Sequence, residues 1–245
     1  SKRTMKIRQF MMPLLQVFAN SSALASNVKL WRYCPRCGTG MAKTGLLPFE
    51  RQRCSQCGTV NYLNPAPGIT MLIRSPSQLV LIGKRAATAR YGGQWCLPGG
   101  YIEYEESFID TAFREIHEET GLQVRIEGVV NVVSNQLDDR HHTLVIVLIG
   151  DVVAGEPRAG DDLVELRWTG KAGHEATSYA FEADRRIIDS YFTGTLRILP
   201  LDGRYTECAP SASWNRLISG HATHGQPLSL GEYGLVVENN GKAVE

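Results

Sequence analysis

The sequence predicts an α/β fold with a small cysteine-bearing module ahead of it. Three observations predict this. Segments of strand length, rich in Val, Ile and Leu, stand on both sides of a long charged segment. That segment, 107–120, has no Pro or Gly and consists largely of residues compatible with a helix. Upstream, two Cys-x-x-Cys pairs lie sixteen residues apart, a spacing suited to one tetrahedral zinc ion. At 245 residues and 43% hydrophobic content, the chain is long enough for one substantial core and a small satellite.

Residues 1–30 combine a basic start, SKRTMKIRQF, a short apolar stretch, MMPLLQVFA, and small residues at Ala23-Leu24-Ala25. They read as a leader or disordered extension, with a secretory signal or an organelle transit peptide as the alternatives. Cys34-Pro-Arg-Cys37-Gly and Cys54-Ser-Gln-Cys57-Gly then define a zinc ribbon over 31–64. The short turn lets two sulfurs face one ion, and the following Gly leaves room for backbone N–H···S contacts. Four thiolates close the coordination shell, so this Zn²⁺ is expected to be structural rather than catalytic. Two disulfides or a redox dithiol are the competing readings.

The main domain is expected over 65–200. Residues 68–74 and 78–84 read as apolar strands joined by a Ser-Pro-Ser turn. After the helix at 107–120, strands follow at 124–133 and 143–153, with a shorter one at 163–168. Residues 178–192 place Phe181, Ile187, Ile188 and Tyr191 on one face of an amphipathic helix that covers the sheet. The stretch 201–245 is rich in Gly, Ser, Thr and Pro and reads as an irregular tail.

The charged segment carries the chemistry. From Gly100 to Leu122 it reads GYIEYEESFIDTAFREIHEETGL. On a helix Glu115 and Glu119 share a face, Glu118 lies beside them, and Arg114 is four residues from Glu118. Like charges at this spacing repel unless a cation sits between them. Hard oxygen ligands converging on one point describe a Mg²⁺ or Mn²⁺ site completed by substrate phosphates. A solvated, salt-bridged helix face is the competing reading. Gly121 stands where a left-handed cap would end the helix.

These residues, from Gly100 through Glu106 to Arg114-Glu115-Ile116-His117-Glu118-Glu119-Thr120-Gly121-Leu122, resemble the signature box of the Nudix hydrolases at every defining position. Gly93 to Glu103, GQWCLPGGYIE, resembles the family's approach to the box. The resemblance implies an α/β/α sandwich with a mixed sheet, and metal-dependent cleavage of a nucleoside diphosphate linked to another moiety, releasing AMP. It implies Glu115 and Glu119 as the principal Mg²⁺ or Mn²⁺ ligands, with Glu118 a further ligand or a water-orienting base. The Gly100 carbonyl would be another ligand, Arg114 would hold a box carboxylate, and Glu106 would brace the loop into the helix. The ribbon followed by Asn61-Tyr62-Leu63-Asn64-Pro65 resembles the zinc-ribbon members that act on NADH, FAD or ADP-ribose.

A pyrophosphate bridge resists hydrolysis because its negative oxygens repel water. Divalent ions neutralise that charge and activate the water, and a carboxylate takes the proton. In related enzymes that base can come from a downstream loop. Glu165, Asp161, Asp162, Asp138 and Asp139 are the candidates, with Glu165, on a predicted strand, placed first. The NADH-preferring branch carries a Pro- and Trp-rich stretch after the box. Ser134-Asn135-Gln136-Leu137-Asp138-Asp139 has neither residue type, so ADP-ribose and FAD rank above NADH.

Tyr101 and Tyr104, at the lip of the box, are stacking candidates for a base. Trp95 is expected in the core, Cys96 as a packing residue and Cys208 in the tail. Arg85 and Arg90 either reach phosphates or face solvent. His117 is expected to be exposed, and His141-His142 to lie at a hairpin turn.

The expected partner is a small-molecule nucleotide, with a homodimer also expected and no membrane. No stretch approaches the roughly eighteen apolar residues of a span. The expected location is cytoplasmic, or an organelle if the leader is a transit peptide. The net charge of +1 hides an asymmetry, for residues 1–49 carry eight Lys or Arg and no acid. Nucleic-acid binding, a ligand-sensing role or processing of RNA 5′ caps are therefore the alternative functions. The sequence itself shows no aromatic-and-basic stripe for a single strand.

Overall fold

The computed structural model describes residues 30–41, 51–62, 64–138 and 141–202. The leader before residue 30, Asp139, and the tail from 203 with its Cys208 lie outside them.

β1, Ala66–Arg74, is buried at every position from Gly68 to Ile73. An unbroken apolar run of this kind needs cover on both faces of a sheet. β1 pairs in parallel with β5, His141–Ala154, from Ala66↔Thr143 to Arg74↔Asp151. β5 in turn pairs antiparallel with β4, Gln123–Asp138. On its other side β1 meets β2, Val80–Arg85, only at Arg74↔Val80. β2 carries β3, Trp95–Cys96, and β6, Leu163–Thr169. The short β7, Leu199–Pro200, adds to β4. One parallel pair among antiparallel ones makes the sheet mixed.

β1 and β2 fork because the chain after β3 takes up the free edge of β1. The Met71 N–H donates to the Pro98 carbonyl at 2.9 Å and the Ile69 N–H to the Gly100 carbonyl at 2.9 Å. The Ile102 N–H donates to the Pro67 carbonyl at 3.2 Å.

Strand parity separates two layers. Leu72, Val147 and Ile149 pack with Ile187 and Ile188 of α3, Glu182–Phe192. Met71, Ile73 and Leu148 are buried on the alternate face, where α1, Phe108–Thr120, lies against β1 and β4. The short α2, Lys171–Glu175, leads into the α3 layer. Helices on both faces complete the sandwich.

Several boundaries differ from the sequence reading, β1 and β5 each beginning two residues earlier. β4 runs on to Asp138, since Ser134↔Leu144 and Asn135↔Thr143 continue the ladder despite polar side chains. The second long helix begins at Glu182 rather than 178. Residues 178–180 instead bond to β3, with the Trp95 N–H on the Ser178 carbonyl at 3.1 Å and the Ala180 N–H on the Trp95 carbonyl at 2.8 Å. Gln78 belongs to the turn before β2, with φ 61°.

α1 starts and stops where its local chemistry dictates. Ser107 accepts from the Asp110 N–H at 3.1 Å, while the Asp110 carboxylate accepts from the Ser107 N–H at 3.4 Å. Gly121, at φ 69°, closes the helix with its N–H on the His117 carbonyl. Replacing Ser107 with Ala should lower unfolding free energy by about 1 kcal/mol. An unchanged urea midpoint would show that the cap contributes nothing.

Candidate metal centres

The two Cys-x-x-Cys pairs close the same knuckle twice. The Cys34 N–H donates to the Thr39 carbonyl at 2.8 Å and the Gly38 N–H to the Cys34 carbonyl at 2.9 Å. Twenty residues on, the Cys54 N–H donates to the Thr59 carbonyl at 2.8 Å and the Gly58 N–H to the Cys54 carbonyl at 3.0 Å. Gly38 and Gly58, at φ 73° and 75°, supply the left-handed residue the turn requires. The Gln52 side chain joins the knuckles, bonding both the N–H and the carbonyl of Trp31 at 2.9 Å.

None of the four cysteines is in a disulfide. Their sulfurs lie within 4.8 Å of one another, with Cys34–Cys57 at 3.5 Å and Cys37–Cys54 at 3.6 Å. A tetrahedron of Zn–S bonds has edges of roughly 3.8 Å, so this quartet fits Zn²⁺. The Thr59 hydroxyl, 3.1 Å from the Cys57 sulfur, helps hold that thiol down to about 6, which favours the thiolate a metal needs.

The second centre forms on α1. Arg114 lies between the acids and uses every donor it has. Its Nε and Nη2 grip Glu106 at 2.6 and 2.8 Å, and Nη2 also donates to the Tyr101 carbonyl at 3.2 Å. Nη1 donates to Glu115 at 2.9 Å and Glu118 at 3.0 Å. These Arg114 hydrogen bonds hold the Glu106 carboxyl below its ordinary range, helped by the Thr111 hydroxyl at 2.9 Å.

Glu115 and Glu119 are buried on one helix face. A third acid, Asp161, brings its carboxylate to them from the loop before β6, and the three offer oxygens within 4.8 Å of one another. That loop is tied to the end of α1 by the Arg158 N–H on the Thr120 carbonyl at 2.8 Å and the Gly160 N–H on the Glu119 carbonyl at 3.0 Å. Asp161 has φ 49°, a strained conformation of the kind that tends to mark functional positions.

Burial pushes both box carboxyls up, Glu119 to about 9. The Gly99 N–H donates to Glu119 at 2.7 Å. The Asp162 carboxyl lies within bonding reach of Glu119. Its Oδ2 takes the Arg85 Nη2 at 2.7 Å, while Oδ1 is buried with no donor among the described residues. Two facing carboxyls need a shared proton or a cation, so this donor set of hard oxygens fits Mg²⁺ or Mn²⁺. Gly100 has no room for a side chain, since a Cβ there would run into the Glu115 carboxylate. Its carbonyl already accepts from Ile69 and retains a second lone pair.

The remaining sequence candidates fall elsewhere. Glu165 sits across β2–β6 from Lys84, paired with it at 3.3 Å, and is not part of the carboxylate group. Glu118 is half exposed and is held by Arg114 alongside that group rather than within it. Asp138 ends β4 and pairs with His141, which is 2.9 Å from the Arg90 Nη2. Arg85 is turned inward, to Asp162 and to the buried Cys96. Trp95 is in the core, with Arg167 over its ring at 4.2 Å. Tyr101 and Tyr104 are exposed, and so is His117. Sequence reasoning ranked Asp161 behind Glu165. The loop geometry that brings Asp161 to α1 has no local sequence signal beyond the turn-forming Gly160-Asp161-Asp162.

The chain belongs to the Nudix family, since the model of the NUDIX domain matches residues 64–189, just over half of the chain. It is similar to an ADP-ribose pyrophosphatase of Methanocaldococcus jannaschii, 37% identical over 108 residues, covering 44% of this chain and 63% of that one. It is also similar to the NAD-capped RNA hydrolase NudC of Vibrio parahaemolyticus, 30% identical over 114 residues, covering 46% and 42%. The chain thus spans less than two thirds of the length of these relatives. A crystal structure of a NUDIX hydrolase from Nitrosomonas europaea aligns with a TM-score of 0.57 at 25% identity, covering 66% of this chain and 91% of that one.

Both centres lead to measurable expectations. A thiol-blocking reagent should release one Zn²⁺ per chain, read by a colorimetric chelator, and a metal-free protein with four reactive ribbon thiols would contradict this. For the acidic centre, a carboxyl raised from 4.5 to about 9 makes the native state bind more protons than the unfolded one. Without divalent ions that stabilisation is complete below the unfolded value and is lost as pH rises through the folded one. The rise in Tm produced by Mg²⁺ should therefore grow between about pH 5 and pH 9. An increment that shrinks with pH would remove the carboxylates from the site.

Proposed function

We propose that this chain is a divalent-metal-dependent pyrophosphohydrolase that cleaves a nucleoside diphosphate linked to another moiety and releases AMP. The observation that carries this reading is the convergence of Glu115, Glu119 and Asp161 within 4.8 Å, braced by Arg114. These three acids, with the Gly100 carbonyl, would hold Mg²⁺ or Mn²⁺. When bound, the ion supplies neutralisation of the bridging phosphates and activation of the attacking water.

The chain's own groups have separable roles. The Gly99 N–H fixes one oxygen of Glu119. Arg114 fixes Glu115 in the same way, and holds Glu118 beside it through the same Nη1. Glu118, half exposed and so oriented, is the proton acceptor for the water in this reading, and the pairing of Glu165 with Lys84 argues for Glu118 over it. The exposed rings of Tyr101 and Tyr104 lie next to the box, where a nucleobase could stack.

ADP-ribose and FAD are the leading substrates, ahead of NADH. The name of the Methanocaldococcus relative supports ADP-ribose, and the stretch at 134–139 lacks the Pro- and Trp-rich pattern of NADH-preferring members. RNA 5′-cap removal is the second reading. The fold adds one observation to it, because Arg51 lies over the exposed ring of Tyr62 at 5.1 Å, and Tyr33 is exposed on the other knuckle of the ribbon.

A hydrolysis panel of ADP-ribose, FAD, NADH, NAD⁺, diadenosine polyphosphates and NAD-capped RNA, with Mg²⁺ or Mn²⁺, tests the proposal. AMP should appear from one of the small molecules, and Glu119→Gln should lower kcat/KM at least about a hundredfold. Turnover of capped RNA alone would favour the second reading. No turnover of any compound by protein that binds Mn²⁺ would end the enzyme proposal.

A further inference from the structure

Asp184 stands in the first turn of α3, a place where a carboxylate ordinarily serves the helix N-terminus from solvent. Here it is 5% exposed, and no side chain caps α3. Its Oδ2 instead accepts the Leu97 N–H at 2.9 Å, from a segment 87 residues away. Leu97 opens the turn that ends at Gly100, so this bond links the α3 layer to the acidic centre on the α1 layer.

Most polar groups of that turn have partners on β1, α1 or α3. The Thr70 hydroxyl donates to the Leu97 carbonyl at 3.3 Å and to the Pro98 carbonyl at 3.1 Å. The Pro98 carbonyl also takes the Met71 N–H, and the Gly100 carbonyl takes the Ile69 N–H. The Gly99 N–H goes to Glu119. Gly99 has φ 147°, and a Cβ there would lie 2.6 Å from the Thr70 Cα, so the turn is pressed directly onto β1. The strand therefore holds the carbonyls of Leu97, Pro98 and Gly100, and two acids hold the N–H groups of Leu97 and Gly99: Asp184 and Glu119 respectively. Without Asp184 the Leu97 N–H would be a buried donor with no partner, which a chain relieves by moving.

We infer that Asp184 is a positioning residue, which sets the Leu97–Gly100 turn so that the Gly99 N–H meets Glu119 and Gly100 abuts Glu115. This rests on the reading of Glu115 and Glu119 as metal ligands. Asp184 touches neither the carboxylate group nor a substrate, and acts through the turn.

Two readouts on the full chain separate this inference from that reading. Hydrogen exchange at Leu97 and Gly99 reports the turn without any metal, and Mn²⁺ affinity, by electron paramagnetic resonance of the free ion, reports the centre. Asp184→Ala should speed exchange at both amides and weaken Mn²⁺ binding about 10- to 100-fold, the range for residues that orient metal ligands. Asp184→Asn, which keeps an acceptor for Leu97, should restore both. Ile187→Val, a change in the α3 core, should lower stability and alter neither. Unchanged exchange and affinity in folded Asp184→Ala would overturn the inference, as would an Asn variant as weak as Ala. Should Asp184→Ala not fold, Asp184→Ser, too short to span the gap, takes its place with the same expectations. If exchange rises as expected but the wild type binds no Mn²⁺, the clamp stands and the metal reading fails.

Discussion

Arg114 has five N–H donors, and each one is used. Glu106 takes two, and Glu115, Glu118 and the Tyr101 carbonyl take one apiece. A rigid planar fork is needed for this, because a lysine ammonium cannot meet partners spread in a plane. The consequences spread outward from it. Glu106 is anchored, so the chain between Tyr101 and Ser107 has a fixed entry into α1. Glu115 and Glu118 are oriented before any ligand arrives. The helix can then carry a concentration of negative charge that would otherwise open its last turns.

The centre is also costly to build, and the surrounding fold shows how that cost is met. Burial of Glu119 opposes its ionisation, and the Gly99 N–H offsets part of this. Gly99 is required both by its positive φ and by its closeness to β1, while Gly100 leaves the space that the Glu115 carboxylate fills. On the far side Asp161 is held in strained backbone by a loop fastened to the end of α1. Three chain segments thus meet at one point, and none of them would hold its geometry without the sheet.

How much of this the sequence made legible depends on the range of the interaction. Ser107, Arg114, Glu115, Glu119 and Gly121 act within one helix, where spacing in sequence is spacing in space. The two knuckles are equally local, and the paired cysteines announced them. What sequence could not reveal was set by contacts between distant segments. Asp161 reaches Glu119 only because a loop folds back along α1, and Glu165 faces Lys84 only because β6 pairs with β2. Asp184 went unnoticed in the sequence, because only the folded sheet brings Leu97 to it. The polar end of β4 had no strand pattern of its own and was carried by its neighbour's register.

The fork between β1 and β2 has a mechanical consequence. The glycine turn occupies the vacated edge of β1 through backbone bonds at Ile69 and Met71, so displacing it would break hydrogen bonds of the sheet. One wall of the acidic centre therefore moves only with β1. The opposite wall, the 155–162 loop, is tied to the end of α1 by two backbone bonds, and to the end of β2 by the Ala86 N–H on the Asp162 carbonyl and by Arg85 on the Asp162 carboxylate. The two walls thus hang from different arms of the fork, the glycine turn from β1 and the loop from β2, so the angle of the fork sets the width of the acidic centre.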